Sequence, residues 1–280
     1  MGTGNSVEGK VAFITGAARG QGRGHAVRLA EEGADIIAVD ICEQLPTVPY
    51  PLATPADLEE TVRQVEALGR RIVAIRADVR DHAALAAALA SGVSQLGRLD
   101  IVAANAGIWS HAPSADMSVD MWREMIDVNL TGVWNTCQVA IPHLIEGGRG
   151  GSIIITSSSA GIRTGAGRVH YSAAKFGVVG IMRCLANELA PHFIRVNCLH
   201  PSAVSTAMLH NDTIYQLFRP DADIPTLEEA IPVFTTLNAL PIPWVETIDI
   251  SNALLFLASD ASRYVTSVSL PVDAGATQRG

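Results

Sequence analysis

Seven short apolar runs, separated by longer helical patterns along the whole chain, restrict the fold more than any other feature. Val11–Ile14, Asp35–Val39, Ile72–Ala77, Ile101–Ala104, Ser152–Thr156, Arg195–Leu199 and Ser269–Val272 are rich in Val, Ile and Ala and show little polar–apolar alternation. Strands of that kind are buried on both faces. Helical patterns lie between them at Gly22–Glu32, Pro55–Leu68, His82–Leu96, Val119–Ile145, Tyr171–Leu189 and Ile248–Leu257. Such alternation with right-handed crossovers builds an α/β fold, a Rossmann-like doubly wound parallel sheet of about seven strands flanked by helices on both faces. No internal repeat or low-complexity linker interrupts it, so residues 1–280 are expected to form a single domain.

Two segments stand outside the alternation. Residues 42–54 hold Pro46, Pro49 and Pro51 around Tyr50, with Pro55 just beyond. That density of proline predicts a stiffened loop inserted after the second strand. Residues 205–246 hold Phe218, Phe234 and Trp244 among several prolines, and predict a long apolar loop. A loop beyond a C-terminal strand end suits a lid or substrate wall. For both segments, packing against a neighbouring subunit is the competing explanation.

Composition removes several functions. A formal net charge of −8 opposes nucleic-acid binding, which needs a basic footprint. Mean hydropathy is positive at +0.25, yet no run approaches the roughly 18 uninterrupted apolar residues that span a bilayer. Met1 to Lys10 is polar and Gly-rich, with no apolar signal core. A cytoplasmic protein without membrane contact is expected. Cys42, Cys137, Cys184 and Cys198 form no CxxC pair and no metal-like spacing with His, so neither a metal nor a disulfide is expected. Cys184 and Cys198 lie in apolar segments and are expected to be buried.

One end of the predicted sheet is suited to a dinucleotide. The first strand runs into Thr15-Gly16-Ala17-Ala18-Arg19-Gly20-Gln21-Gly22, followed by a helix. Glycines there let the chain turn tightly and approach a pyrophosphate at the helix N-terminus. Asp40 closes the second strand, where a carboxylate accepts from ribose hydroxyls and repels a 2′-phosphate; NAD is therefore favoured over NADP. Arg19 pulls the other way, and an N-cap role for Asp40 is the plain alternative. Asp78 and Val79 close the third strand, placed for adenine. Asn105-Ala106-Gly107 closes the fourth, its small residues allowing close approach to the cofactor.

A second group carries chemistry. Tyr171 and Lys175 stand four residues apart at the start of a helical pattern, and so on one helix face. A phenol ordinarily titrates near 10, too high for a base at neutral pH. A lysine ammonium one turn away, with the positive charge of an oxidised nicotinamide, favours phenolate. Ser158, upstream after a strand, has a hydroxyl able to hold a substrate oxygen.

With these residues in view, the chain resembles the short-chain dehydrogenases/reductases, in their single-domain branch, from Gly9 nearly to the C-terminus. The matching positions are Thr15-Gly16-x-x-x-Gly20-x-Gly22, Asp78, Asn105-Ala106-Gly107, Asn129, Ser158, Tyr171-x-x-x-Lys175, and Pro201 with Thr206. The resemblance implies Tyr171 as general acid/base, Ser158 as holder of the substrate oxygen, and Lys175 as ligand of the nicotinamide ribose. It implies that Asn129 keeps a water in a proton relay. It also implies cofactor contacts from Gln21, Ile41, Thr156 and the backbone near Val204. Family spacing selects Ser158 among Ser157, Ser158 and Ser159, with Ser157 as the fallback. Pro201-Ser202 departs from the family's usual Pro-Gly, and requires a negative φ at Ser202 or some strain.

A narrower likeness lies in Gly20-Gln21-Gly22-Arg23, the Pro-rich insertion and Tyr50-Pro51-Leu52-Ala53-Thr54. These look like the mycofactocin-associated, carveol-dehydrogenase-like subgroup. That likeness implies a tightly held, non-exchanging NAD(H), an external electron acceptor, and a homotetramer acting on a hydrophobic, terpenoid-like secondary alcohol or ketone. Expected substrate-facing residues are Trp109, His111, Arg163, His170, Met208 and the stretch from Leu209 to Trp244, with His170 not read as catalytic. Two rival readings remain: a redox sensor that keeps NAD without turnover, and an assembly subunit.

Overall fold

The computed structural model describes residues 6–279. The first five residues of the polar N-terminal stretch noted above, Met1–Asn5, and Gly280 lie outside the described residues.

The first half of the chain forms β1 (Val11–Thr15), α1 (Gly20–Glu31), β2 (Asp35–Asp40), α2 (Pro55–Ala67), β3 (Ile72–Arg76), α3 (His82–Leu96) and β4 (Ile101–Ala104). Next come α4 (Val119–Ile126), a π turn (Asp127–Thr131), α5 (Gly132–Gly147), β5 (Gly151–Thr156), α6 (Val169–Glu188) and β6 (Ile194–Pro201). The chain closes with α7 (Asp212–Phe218), α8 (Leu227–Leu237), α9 (Thr247–Ala258) and β7 (Ser269–Val272). All seven strands pair in parallel, in the order β3-β2-β1-β4-β5-β6-β7. The doubly wound sheet expected from the apolar runs is present.

The missing alternation in those runs now has its physical reason. Side chains alternate between the faces of a strand, and here each face carries its own core. Phe13, Ile37, Val102, Ile153 and Val196 enter one cluster, beneath α3, α5 and α6. Ala12, Ile14, Ile36, Ile101, Ile154 and Leu199 enter the other, beneath α1 and α9. Every residue of β1 and β2 is buried, so neither strand has a polar face to display. Burying such a side chain stabilises by about 1.5–3 kcal/mol.

The topology also fixes where a ligand can enter. After β3 at one edge, the chain returns to β4 on the far side of β1. The strand order reverses there, and a crevice opens beyond the carboxyl ends of β1 and β4.

Three expectations are corrected. Val119–Ile145 is not one helix, because the π turn Asp127–Thr131 separates α4 from α5. Its Asn129 side chain binds the Ile108 backbone at both ends, Oδ1 accepting from N–H and Nδ2 donating to C=O, each at 2.8 Å. A π turn adds a residue to the helical circuit, and this one presents Asn129 to Ile108. Residues 205–246 are not one long loop, since they contain α7 and α8. Asn211 caps the first helix, and Thr226 with Glu229 makes a capping box on the second. Finally, Cys184 is exposed, on the outward face of α6, whereas Cys42, Cys137 and Cys198 are buried; all four are unpaired. Residues 42–54 are irregular, as their prolines predict. Among the described residues, no helix is long and apolar enough to cross a membrane.

Candidate active site

Beyond β1 the chain turns through Gly16 and Gly20, whose φ angles of +68° and +55° few side chains tolerate. A Cβ on Gly16 would lie 2.8 Å from Ala106 Cα, and one on Gly22 would lie 1.9 Å from the Gly16 carbonyl oxygen. The backbone is therefore packed as closely as it can be around the first turn of α1. Asn105 locks β4 to this turn, its Nδ2 donating to the Thr15 carbonyl at 3.1 Å. Such a cradle, bare of side chains at a helix N-terminus, fits a pyrophosphate. Gly22→Ala is expected to destabilise the fold by about 1–3 kcal/mol through overpacking, and to weaken NAD binding at least about tenfold. Thermal unfolding and NAD titration check the two effects.

The predicted cofactor residues from Gly16 to Gly107, and Thr206 with them, line one crevice. Asp40 is held at its end, its carboxylate accepting from the N–H groups of Ala18 at 3.0 Å and Cys42 at 3.1 Å. It caps no helix, because α2 takes its cap from Thr54. Arg19 does not face a 2′-phosphate position freely; its guanidinium donates to the Pro51 carbonyl of the insertion. Asp78 is not a free carboxylate either. Arg80 forks onto it, with Nε at 2.8 Å and Nη2 at 2.6 Å. An adenine amino group must share Asp78 with that arginine.

A second cavity, of about 720 Å³, adjoins the crevice and shares Asn105, Gly107, Thr206 and Met208 with it. Thr156, Ser158, Tyr171, Lys175, Pro201 and Val204 line it. Lys175 is 3% exposed and donates from Nζ to the Thr156 carbonyl at 2.9 Å. Burial pulls its ammonium down to about 8. Burial pushes the Tyr171 phenol above its ordinary value, while the Ser158 hydroxyl and the Arg168 charge pull it partly back. The lysine, 5.6 Å from the Tyr171 ring centroid, does not by itself reverse the effect of burial. Burial thus prevails in the protein without cofactor and the phenol is neutral near pH 7, whereas the expected phenolate concerns the protein with an oxidised nicotinamide beside it.

The serines separate by their partners. Ser157 donates from Oγ to the Lys175 carbonyl at 2.9 Å, so its hydroxyl ties β5 to α6. Ser158 Oγ accepts from the Ala160 N–H at 3.1 Å, and its carbonyl meets His200 Nδ1 at 2.8 Å. Ser202 is not among the residues of positive φ, so serine replaces glycine there without strain. Asn129 lines neither cavity; it is fully buried, with its amide consumed by Ile108.

Trp109, His111, Arg163, Met208 and Leu209 line the second cavity, with Ile214, Leu217 and Phe218 from α7 and Leu237 from α8. His170 does not. It is fully buried, with Nε2 2.9 Å from Ser110 Oγ, and ties the start of α6 to the segment after β4. Trp244 stands behind the wall, edge-on to His210 with ring centroids 4.9 Å apart. Sequence reasoning missed the place of Tyr50. Its buried hydroxyl accepts from the Trp109 N–H at 3.0 Å, so the insertion reaches the substrate wall. An aromatic among prolines was a visible signal, but nothing local told where its hydroxyl would go. Arg168 and Arg279 also line the cavity and were missed.

The pattern of the family described as short chain dehydrogenase matches residues 10–215. A (-)-trans-carveol dehydrogenase of Rhodococcus erythropolis is 58% identical over 273 residues, covering 97% of this chain and 98% of its own. Among solved structures, carveol dehydrogenase from Mycobacterium avium in complex with NAD has a TM-score of 0.97 at 55% identity, covering 99% of this chain and 100% of that one. A short chain dehydrogenase from Mycobacterium paratuberculosis bound to NAD has a TM-score of 0.90 at 48% identity, covering 98% and 100%.

Proposed function

Because the chain belongs to the short-chain dehydrogenase family, we propose that it interconverts a hydrophobic cyclic secondary alcohol and its ketone with NAD(H). The observation that carries this reading is the shared wall: the cavity holding Tyr171, Lys175 and Ser158 opens onto the glycine-cradled crevice that ends in Asp40. Its apolar lining from Trp109, Met208, Leu209, Ile214 and Phe218 suits a body like that named for the carveol dehydrogenases.

NAD, when bound, supplies the hydride acceptor and a positive nicotinamide. The chain does the rest. Ser158 Oγ holds the alcohol oxygen and Tyr171 Oη removes its proton as the hydride leaves; in reduction Tyr171 returns it. Lys175 takes the nicotinamide ribose and adds a positive charge beside the phenol. Asn129, its side chain occupied by Ile108, would keep a water of the relay through its backbone in the π turn. Gly16, Gly20 and Gly22 cradle the pyrophosphate. Arg19 and Gln21 flank it, and Asp40 takes the adenosine ribose beside Ile41. Asp78 and Val79 meet the adenine. Asn105, Ala106, Gly107, Thr156, Pro201, Val204 and Thr206 meet the nicotinamide half. These roles make an NAD-holding sensor or an assembly subunit the weaker reading.

Pure protein with NAD and a panel of cyclic terpenoid alcohols, followed by reduced-nicotinamide absorbance, tests the reaction. No reduction by any of them would sink it. Asp40→Asn removes the charge and keeps one of the two contacts, since Ala18 and Cys42 donate to different carboxylate oxygens and an amide has a single accepting oxygen. The preference for NAD over NADP should then fall by about tenfold or more, read as initial rates with each dinucleotide added to cofactor-stripped protein.

The insertion is read as a clamp that keeps NAD(H) from exchanging. Arg19 to Pro51, Tyr50 to Trp109, and Thr47 to Glu124 support it, since they tie residues 42–54 across the crevice. If replacing residues 48–54 by a short Gly-Ser link left NAD release unchanged, the clamp would be wrong. With the cofactor so held, an external, mycofactocin-type electron acceptor would reoxidise it in place. A homotetramer is supported by Val119, Trp122, Trp134 and Phe176, apolar yet exposed on α4, α5 and α6. Four unpaired cysteines suit the reducing cytoplasm.

A further inference from the structure

The chain carries a net charge of −8, yet no Asp or Glu lines the 720 Å³ cavity among the described residues. Its wall holds Lys175 near the reacting end and three arginines, Arg163, Arg168 and Arg279. An acidic protein that gathers only cations around one cavity has built a local positive field there.

Their bonds leave the arginines' charge uncompensated. Arg163 donates to the Arg279 carbonyl, and Arg279 donates to the Asn238 carbonyl; both acceptors are neutral. Arg168 immediately precedes α6, three residues before Tyr171, with its Nη2 2.8 Å from where a Cβ on Gly165 would stand. Its Nε is buried without a hydrogen-bond partner. None of the three forms an ion pair with an acidic side chain among the described residues, although ten other arginine and lysine side chains there do, at Asp35, Asp78, Asp100 or elsewhere. A guanidinium on the cavity wall with no acidic partner is open to a planar two-oxygen anion, which matches its fork.

We propose that the alcohol this cavity takes carries a carboxylate, with its apolar ring against Trp109, Met208 and Phe218 and its anionic arm held by Arg163, Arg168 and Arg279. The inference rests on the dehydrogenase reading above and narrows its substrate class to cyclic hydroxy acids or their keto acids. Charge, rather than size, makes the selection: the arm is a short carboxylate, reaching from the ring to the cavity rim.

The test compares 4-hydroxycyclohexanecarboxylate with its carboxamide, which keeps the shape and loses the charge. The readout is the slope of initial nicotinamide reduction rate against alcohol concentration, which holds whether or not NAD exchanges. The carboxylate is expected to have a slope at least tenfold higher in the unsubstituted protein. In the double variant Arg163→Gln, Arg168→Gln that ratio should fall to near one, and in the unsubstituted protein it should shrink as salt rises from about 50 to 500 mM. A ratio at or below one, or a ratio that the double variant and salt leave alone, overturns the inference. Carveol in the same assay separates the two failures. Reduction by carveol with a ratio near one removes the carboxylate and spares the dehydrogenase; no reduction by any alcohol removes both.

Discussion

Tyr171→Phe is expected to leave a folded, NAD-binding protein whose alcohol oxidation has slowed by about three orders of magnitude. The substitution keeps the ring that packs against the core cluster under α6 and removes one hydroxyl. That hydroxyl lies within the influence of the Ser158 side chain, which pulls its value down against burial. Ser157 cannot take over, because its Oγ is spent on the Lys175 carbonyl. Nor can His170, whose ring is buried against Ser110 and outside the cavity. Initial rates of nicotinamide reduction, beside NAD titration of the same variant, check the expectation. A rate within about tenfold of the unsubstituted protein would assign the proton to another group.

Lys175→Met is the second large effect, and it should move rate and stability in opposite directions. Removing the cation beside Tyr171 raises the phenol further and takes a ligand from the nicotinamide ribose, so the rate should fall by about two orders of magnitude or more. The surviving activity should appear only at higher pH. The stability argument depends on sign. The folded protein holds this lysine at about 8, below its value of 10.5 in the unfolded chain. Unfolded chains therefore bind the extra proton between those values, and stability rises with pH across that window. Below pH 8 the penalty for burying the ammonium is fully present, about 3 kcal/mol by order of magnitude. Methionine removes that penalty but leaves the Thr156 carbonyl without its donor, at a cost of about 1–3 kcal/mol. Thermal unfolding at pH 7 should thus show no loss, and up to a few degrees of gain, in a nearly inactive protein. Above about pH 10.5 the gain should vanish. A variant less stable at pH 7 by several degrees would show that the buried charge is not the strained element.

Much of this was legible because buried parallel strands write themselves as unbroken apolar runs. Phe13 and Ile14 enter opposite cores, and both must be apolar, so the pattern survives without knowledge of the partners. Glycine spacing at Gly16 and Gly22 was equally direct, since a Cβ at either collides with backbone. What escaped depends on distant partners. The π turn exists because Asn129 reaches Ile108, which is 21 residues away in sequence. Helices α7 and α8 were hidden by prolines, although Thr226 and Glu229 were a capping box in plain sight. Pro232 lies at the middle of α8, where its missing N–H takes one donor from the helical ladder. Asp78 looked free because nothing in a strand end announces that Arg80, two residues on, will fold back onto it. Burial misled at Cys184, whose apolar neighbours face inward while it faces out. The elevated phenol of Tyr171 could not be read from spacing, because charge proximity is visible in sequence and desolvation is not.

Residues 273–279 lie beyond β7, outside every strand and helix, yet Ala276, Thr277 and Arg279 form part of the cavity wall. The sheet is complete at Val272, and no core cluster reaches past Ala274. A change at these positions therefore spares both core clusters, at the expense of local bonds such as Thr277 to Asp273 and Arg279 to Asn238, while bearing directly on the cavity wall. Part of the cavity wall is thus built from a segment outside the sheet and its two cores. A substitution at Ala276 or Thr277 would reshape the wall without touching the strands and glycines that form the crevice.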